Sequence, residues 1–173
     1  MDNQRFLTDG LEQLKAYLQS DEVFWAMDRD PQLTLGNLLL AAASLKAAGK
    51  LSAAHAAALA DARKEWGNAW EKKAEREFAA RMRQWSNYLA ELADKPKQHA
   101  RYYKAEVRAR VLLQLLAPEA PKGSQQLAGL DAILKPLVEP GDFVWDAGQQ
   151  AMYPKPQYWF LWVTPKLPEE EDK

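Results

Sequence analysis

No cysteine occurs among the 173 residues of this chain. A disulfide framework, a thiolate metal site and a cysteine nucleophile are therefore excluded, and the composition fits a reducing compartment, so the cytoplasm is the expected location. Histidine is scarce, with only His55 and His99. A zinc centre would need carboxylates to complete it, and no recognised ligand spacing occurs, so neither a metal nor a cofactor is expected. Phosphate-cradling glycine loops, G-x-S-x-G, H-E-x-x-H and calcium-loop patterns are all missing, and the reading leans away from an enzyme. An excess of one charge is missing too: the net charge is −1, which gives no electrostatic reason to expect nucleic acid or an anionic membrane. The longest near-apolar stretch, Leu38 to Ala48, is broken by Ser44 and Lys46 and is too short to span a bilayer. The N-terminal MDNQRFLTDG is polar and acidic, unlike a signal peptide.

What the chain has in abundance is tryptophan, seven in all. Trp66, Trp70 and Trp85 fall in one helical pattern, Trp159 and Trp162 in the run Tyr158-Trp-Phe-Leu-Trp-Val163, and Trp25 and Trp145 stand apart. Large aromatics supply much of the burial energy of a small domain and are also favoured at interfaces. Charge is unevenly placed: residues 61–110 carry 13 Lys/Arg against 8 Asp/Glu, whereas residues 1–30 and 139–173 each carry 3 against 7.

Apolar spacing predicts mostly helices. Leu7, Leu11, Leu14 and Leu18 recur at intervals of three and four, the stripe of an amphipathic helix. Asp21 is a candidate cap for a short helix over 22–27, and Asp30-Pro31 breaks the chain after it. Thr34 is placed to cap a Leu/Ala helix over 35–48, which Gly49 ends, and Ser52 opens the next. That next helix, about 53–93, places Leu59, Trp66, Trp70, Ala74, Phe78, Trp85, Leu89 and Leu92 within an arc of about 120°. It would be roughly 60 Å long, and Gly67-Asn68 is the place to kink or break it. A fifth helix is expected over 97–116 after Asp94-Lys-Pro96. A sixth is expected over 125–138, capped by Ser124 and kinked or ended at Pro136. Beyond Pro140-Gly141, the aromatic and β-branched segments 142–146 and 158–164 read as a small antiparallel pair.

The predicted fold is mainly α, a single-domain bundle of about six helices over 1–166. The C-terminal β-pair or extended aromatic segment lies at 142–164, and an acidic disordered tail at 167–173.

Two functional readings follow. The favoured one is a non-enzymatic protein–protein interaction module, a homo-oligomer or a subunit of a complex, using Trp66, Trp70, Glu77, Arg81 and Trp85 on the long helix. For those tryptophans themselves core is the first reading, because their spacing is helical and the neighbouring Leu/Ala faces need large partners, and an interface is its rival. The alternative function is binding of a small molecule or anion, with or without catalysis, between helix 97–116 and the aromatic C-terminal segment. Its residues would be His99, Tyr102, Tyr103, Glu106 and Arg110, walled by Trp159 and Trp162. On a continuous helix His99, Glu106 and Arg110 lie within about 40° of one another, although Glu106 and Arg110 also make an ordinary i, i+4 pair.

The stretches Trp85-Ser-Asn-Tyr-Leu-Ala-Glu-Leu92, 99–116 and Tyr153-Pro through Tyr158-Trp-Phe-Leu161 resemble a family of small, uncharacterised bacterial helical proteins. The resemblance spans about the C-terminal 60% of the chain. It implies no activity and no site residues.

Overall fold

A computed structural model describes residues 2–169. It is mainly helical, with one long helix and a two-stranded antiparallel sheet near the C-terminus. The last four residues of the expected acidic tail lie outside the described residues. Two compact units are distinguished by their internal contacts: Met1–Ala79 with Gln114–Ser124, and Ala80–Leu113 with Gln125–Lys173.

In the first unit α1 (Asn3–Gln19) starts at Asp2, whose carboxylate accepts from the Arg5 N–H, and buries Leu7, Leu14, Tyr17 and Leu18. It packs on α2 (Leu35–Ala47) and α3 (Ala53–Glu65). The approach to α2 is close: a Cβ on Gly10 would stand 2.9 Å from Leu38 Cδ2. Thr34 and Ser52 cap α2 and α3 by accepting from the N–H groups of Asn37 and His55, as their side chains allow. At the end of α2, Gly49 takes φ 69°. Gly49 N–H bonds to Lys46 O and Lys50 N–H to Leu45 O, the paired closure that a left-handed glycine makes possible.

The helix expected over 22–27 does not form. Trp25 instead exchanges two backbone hydrogen bonds with Leu33 (3.0 and 2.9 Å). The Val23 carbonyl accepts from Tyr17 Oη, and those of Ser20 and Glu22 from Lys73 Nζ. With these groups engaged elsewhere, an i→i−4 ladder has nothing to close on. Lys73 is itself buried and lies over the Tyr17 ring; burial, then the nearby Arg76 charge, holds its pKa below the ordinary 10.5.

The stretch 53–93 is two helices. α3 stops at Trp66, whose φ and ψ of −111° and 31° are not helical, and α4 runs Gly67–Asp94. The break falls one residue before the Gly67-Asn68 pair. α3 is Ala-rich and buries none of its residues, whereas Trp70, Ala74 and Phe78 of α4 are buried. The expected cap at Ser124 is replaced by an earlier start: Pro121 opens a short turn, α8 (Pro121–Ser124), proline being pre-set for a first helical position. The Glu75 carboxylate accepts from the Lys122 and Gly123 N–H groups.

In the second unit the helix expected over 97–116 is interrupted. It consists of α5 (Pro96–His99), a 3₁₀ turn (Ala100–Tyr102), α6 (Tyr103–Glu106) and α7 (Arg108–Leu116). The cause is local. Tyr88 Oη donates to the His99 carbonyl (3.0 Å), and the Tyr103 N–H bonds one residue short, to Ala100 O, which is 3₁₀ geometry. After α9 (Leu127–Leu134), Pro136 lies in a 3₁₀ turn (Lys135–Leu137) that ends the helix.

The sheet is antiparallel but displaced from the expected segments. β1 is Val138–Pro140 and β2 is Val163–Pro165, with Glu139 opposite Thr164. Lys166 N–H to Leu137 O and Gly141 N–H to Trp162 O continue the same register at both ends. Pro140 and Pro165 thus occupy positions whose N–H would face outward, which blunts both edges without loss to the ladder. Residues 142–146 form no strand, and Trp159–Leu161 is a 3₁₀ turn. Phe160 and Leu161 are both fully buried, and two consecutive inward residues are incompatible with the alternation of a one-faced strand.

Glycine substitutions separate tight from open backbone. A Cβ on Gly123 would stand 2.7 Å from Cδ1 of the buried Phe78 ring, whereas at Gly129, inside α9, nothing lies within 4 Å. Gly123→Ala is expected to lower stability by about 1–3 kcal/mol through overpacking, and Gly129→Ala to raise it by about 0.5–1 kcal/mol. Urea denaturation of the two variants checks both signs.

Candidate functional site

The residues singled out on the helix 97–116 do not converge on one pocket. His99 Nδ1 stands 3.6 Å from the Glu91 carboxylate. Tyr102 is exposed, and its hydroxyl accepts from Arg101 Nη2, whose guanidinium also lies over the ring. Glu106 is half-buried. Because the 3₁₀ turn advances 120° per residue rather than 100°, the line drawn through His99, Glu106 and Arg110 on a regular helix is not kept.

Tyr103 and Arg110 do come together, at Phe160. Tyr103 Oη donates to the Phe160 carbonyl (2.6 Å), and the Arg110 guanidinium lies 4.3 Å from the Phe160 ring centroid. Arg110 also makes two hydrogen bonds of 2.9 Å to the carboxylate of Asp131, a fork that fixes both partners. Trp159 is half-buried with Lys135 over its ring, and Trp162 donates to the Tyr153 carbonyl. These groups form the packed interior of the C-terminal unit. Burial pushes the phenols of Tyr88, Tyr103 and Tyr158 up, and that of Tyr153 up to about 12.

The tryptophan stripe is interior as well. Trp70, Glu77, Arg81 and Trp85 are buried, with only Trp66 half-exposed, beneath Lys15. Trp70 donates to Glu119, which also pairs with Arg63, and Glu77 accepts from the Gly36 N–H (2.8 Å). Trp85 stacks on Tyr88 and meets Tyr103.

An open cleft lies beside this interior, within the second unit. Its volume is about 420 Å³. One wall is the helical segment with Arg101, Tyr103 and Lys104; the other carries Asp142, Val144 and Thr164. Trp145 pins the walls together, its Nε1 donating to the Lys104 carbonyl (2.8 Å); within the second wall Gly141 lies close against Thr164, where a Cβ would press at 3.2 Å. Among the described residues, no ion pair engages Arg101, Lys104 or Asp142. Of the ligand residues anticipated from the sequence only Tyr103 lines the cleft. The signal for the rest was the pair Arg101 and Lys104 flanking the two tyrosines, a spacing that puts both cations on one side of a helical turn.

No helix among the described residues is long and apolar enough to cross a membrane, and no group of three or more potential metal ligands is found among them. No family model matches the chain, and neither the curated proteins nor the solved structures contain a match.

Two measurements probe the interior beside the cleft. Asp131→Ala takes both carboxylate acceptors from a guanidinium whose side chain is only 4% exposed, and a loss of about 3 kcal/mol is expected in urea denaturation. The raised phenol pKa values make folding stability fully present below the ordinary tyrosine value of 10.0. That stability falls as pH climbs from there toward the folded-state values. Urea midpoints should therefore drop above pH 10, and Tyr153→Phe should lessen the drop.

Proposed function

We propose that the protein is a binding module that holds a small, charged organic molecule in the cleft between the helical segment 100–104 and the C-terminal segment 141–165. One observation carries the reading: Arg101, Lys104 and Asp142 line a pre-formed cleft, and among the described residues no ion pair engages them. The volume of about 420 Å³ lies within the range of about 300–1,000 Å³ usual for small-molecule sites. Because Trp145 already ties the two walls, little ordering cost falls on the ligand. This is the alternative of the two functional readings; of the residues named for self-association, Trp66 is half-exposed and Trp70, Glu77, Arg81 and Trp85 are buried. The family resemblance remains a proposal and adds no site.

The test is a two-dimensional NMR titration with a panel of small amines, carboxylates and amino acids. Saturable shifts are expected at Arg101, Lys104, Asp142 and Thr164. The double variant Arg101→Ala/Lys104→Ala should remove them while leaving the thermal midpoint within a few degrees, both side chains being exposed. Shifts that persist in the variant, or none from any member, would overturn the assignment.

A further inference from the structure

We infer that the ligand of this cleft is amphoteric: a small molecule, of the acidic amino acid class, that carries an amine together with carboxylates. The inference rests on the binding role proposed above and specifies its chemistry.

The argument is one of charge arrangement. Arg101 and Lys104 are three residues apart on a helical turn and so project from the same wall, while Asp142 belongs to the opposite wall. Arg101 is held ready, since its guanidinium lies over the Tyr102 ring and donates to the Tyr102 hydroxyl (2.6 Å). An anion without a positive group would be drawn to Arg101 and Lys104 but would meet the Asp142 carboxylate unrelieved. A simple amine would meet the reverse. A molecule with both groups, its anionic part the larger, answers all three side chains, and charge-assisted hydrogen bonds are the strong kind. The cleft carries two cations against one carboxylate, so a ligand of net charge about −1 balances it. Val144 and Val163 supply an apolar floor against which a short methylene chain can lie. The hydroxyl of Thr164, exposed in the same wall, offers one further partner to either group.

The experiment compares three probes by the same NMR titration: glutamate, glutarate (the dicarboxylate without the amine) and inorganic phosphate. Glutamate is expected to bind about ten-fold more tightly than glutarate or phosphate. Asp142→Asn should abolish that preference without weakening glutarate, and an unchanged thermal midpoint verifies the fold. Equal or tighter binding of glutarate or phosphate by the unaltered protein would overturn the amphoteric ligand yet leave the binding cleft standing. If none of the three moves cleft resonances at millimolar concentration while another charged molecule does, the amphoteric class falls. If no charged molecule does, the cleft assignment falls with it.

Discussion

A buried indole or phenol brings a polar atom with it, and that atom must find a partner or forfeit the hydrogen bond it made to water. Much of this structure follows from that obligation. Tyr17 takes the Val23 carbonyl, Trp25 the side chain of Gln13, and Trp70 the carboxylate of Glu119. In the second unit Tyr88 takes His99 O, Tyr103 takes Phe160 O, Trp145 takes Lys104 O and Trp162 takes Tyr153 O. Five of these seven acceptors are backbone carbonyls, two of them in the short helical turns α5 and α6. The aromatics therefore both fill the interior and fasten the loops, a task that cysteine performs in many small proteins. Trp85 is the exception, for its N–H meets no acceptor; its burial is carried by ring contacts with Tyr88 and Tyr103.

The same economy governs the charged groups inside. Lys73 sits on the carbonyls that follow α1, Glu75 on the N–H groups of α8, Glu77 on the N–H of Gly36, and Arg110 on Asp131 and the Phe160 ring. Each of these couples an element to a neighbour, and in each the desolvation of the charge is answered by a specific partner. Arg101, Lys104 and Asp142 differ from these interior charges: they border a concave surface, and among the described residues no ion pair engages them. Exposed unpaired charges are ordinary on a convex helix face. Two signs facing one cleft, between walls already pinned, are a different arrangement, and it is that difference which supports a ligand.

How far the fold was legible in the sequence depended on the range of the interaction that decided each element. Local signals held: the caps at Asp2, Thr34 and Ser52 and the stop at Gly49 all rest on partners within five residues. The Gly67-Asn68 weakness placed the break of the long segment to within a residue. Elements decided by distant partners were not legible. The segment 22–27 was drawn away by Leu33 and Lys73, the helix 97–116 was tightened at its His99 carbonyl by Tyr88, and the turn at Pro121 was capped from Glu75. Helical propensity was present in each case and was overruled by an acceptor or donor that no local window contains.

The cleft proposed as a binding site was not anticipated, for a related reason. Placing functional residues on an ideal helical wheel gave weight to His99, Glu106 and Arg110, and one turn of 3₁₀ geometry was enough to break their alignment. Trp66, Trp70 and Trp85 were read first as core and second as an interface, and Trp70 and Trp85 are indeed buried. Tyr102 and Trp145 show how scaffold and site meet. Tyr102 spends its exposed ring and hydroxyl on holding Arg101, and Trp145 spends its indole N–H on holding the backbone of Lys104. A ring beside a guanidinium, or an indole N–H donated to a basic residue's own carbonyl, steadies that residue while leaving its charge uncancelled, so the aromatic framework positions Arg101 and Lys104 without neutralising them.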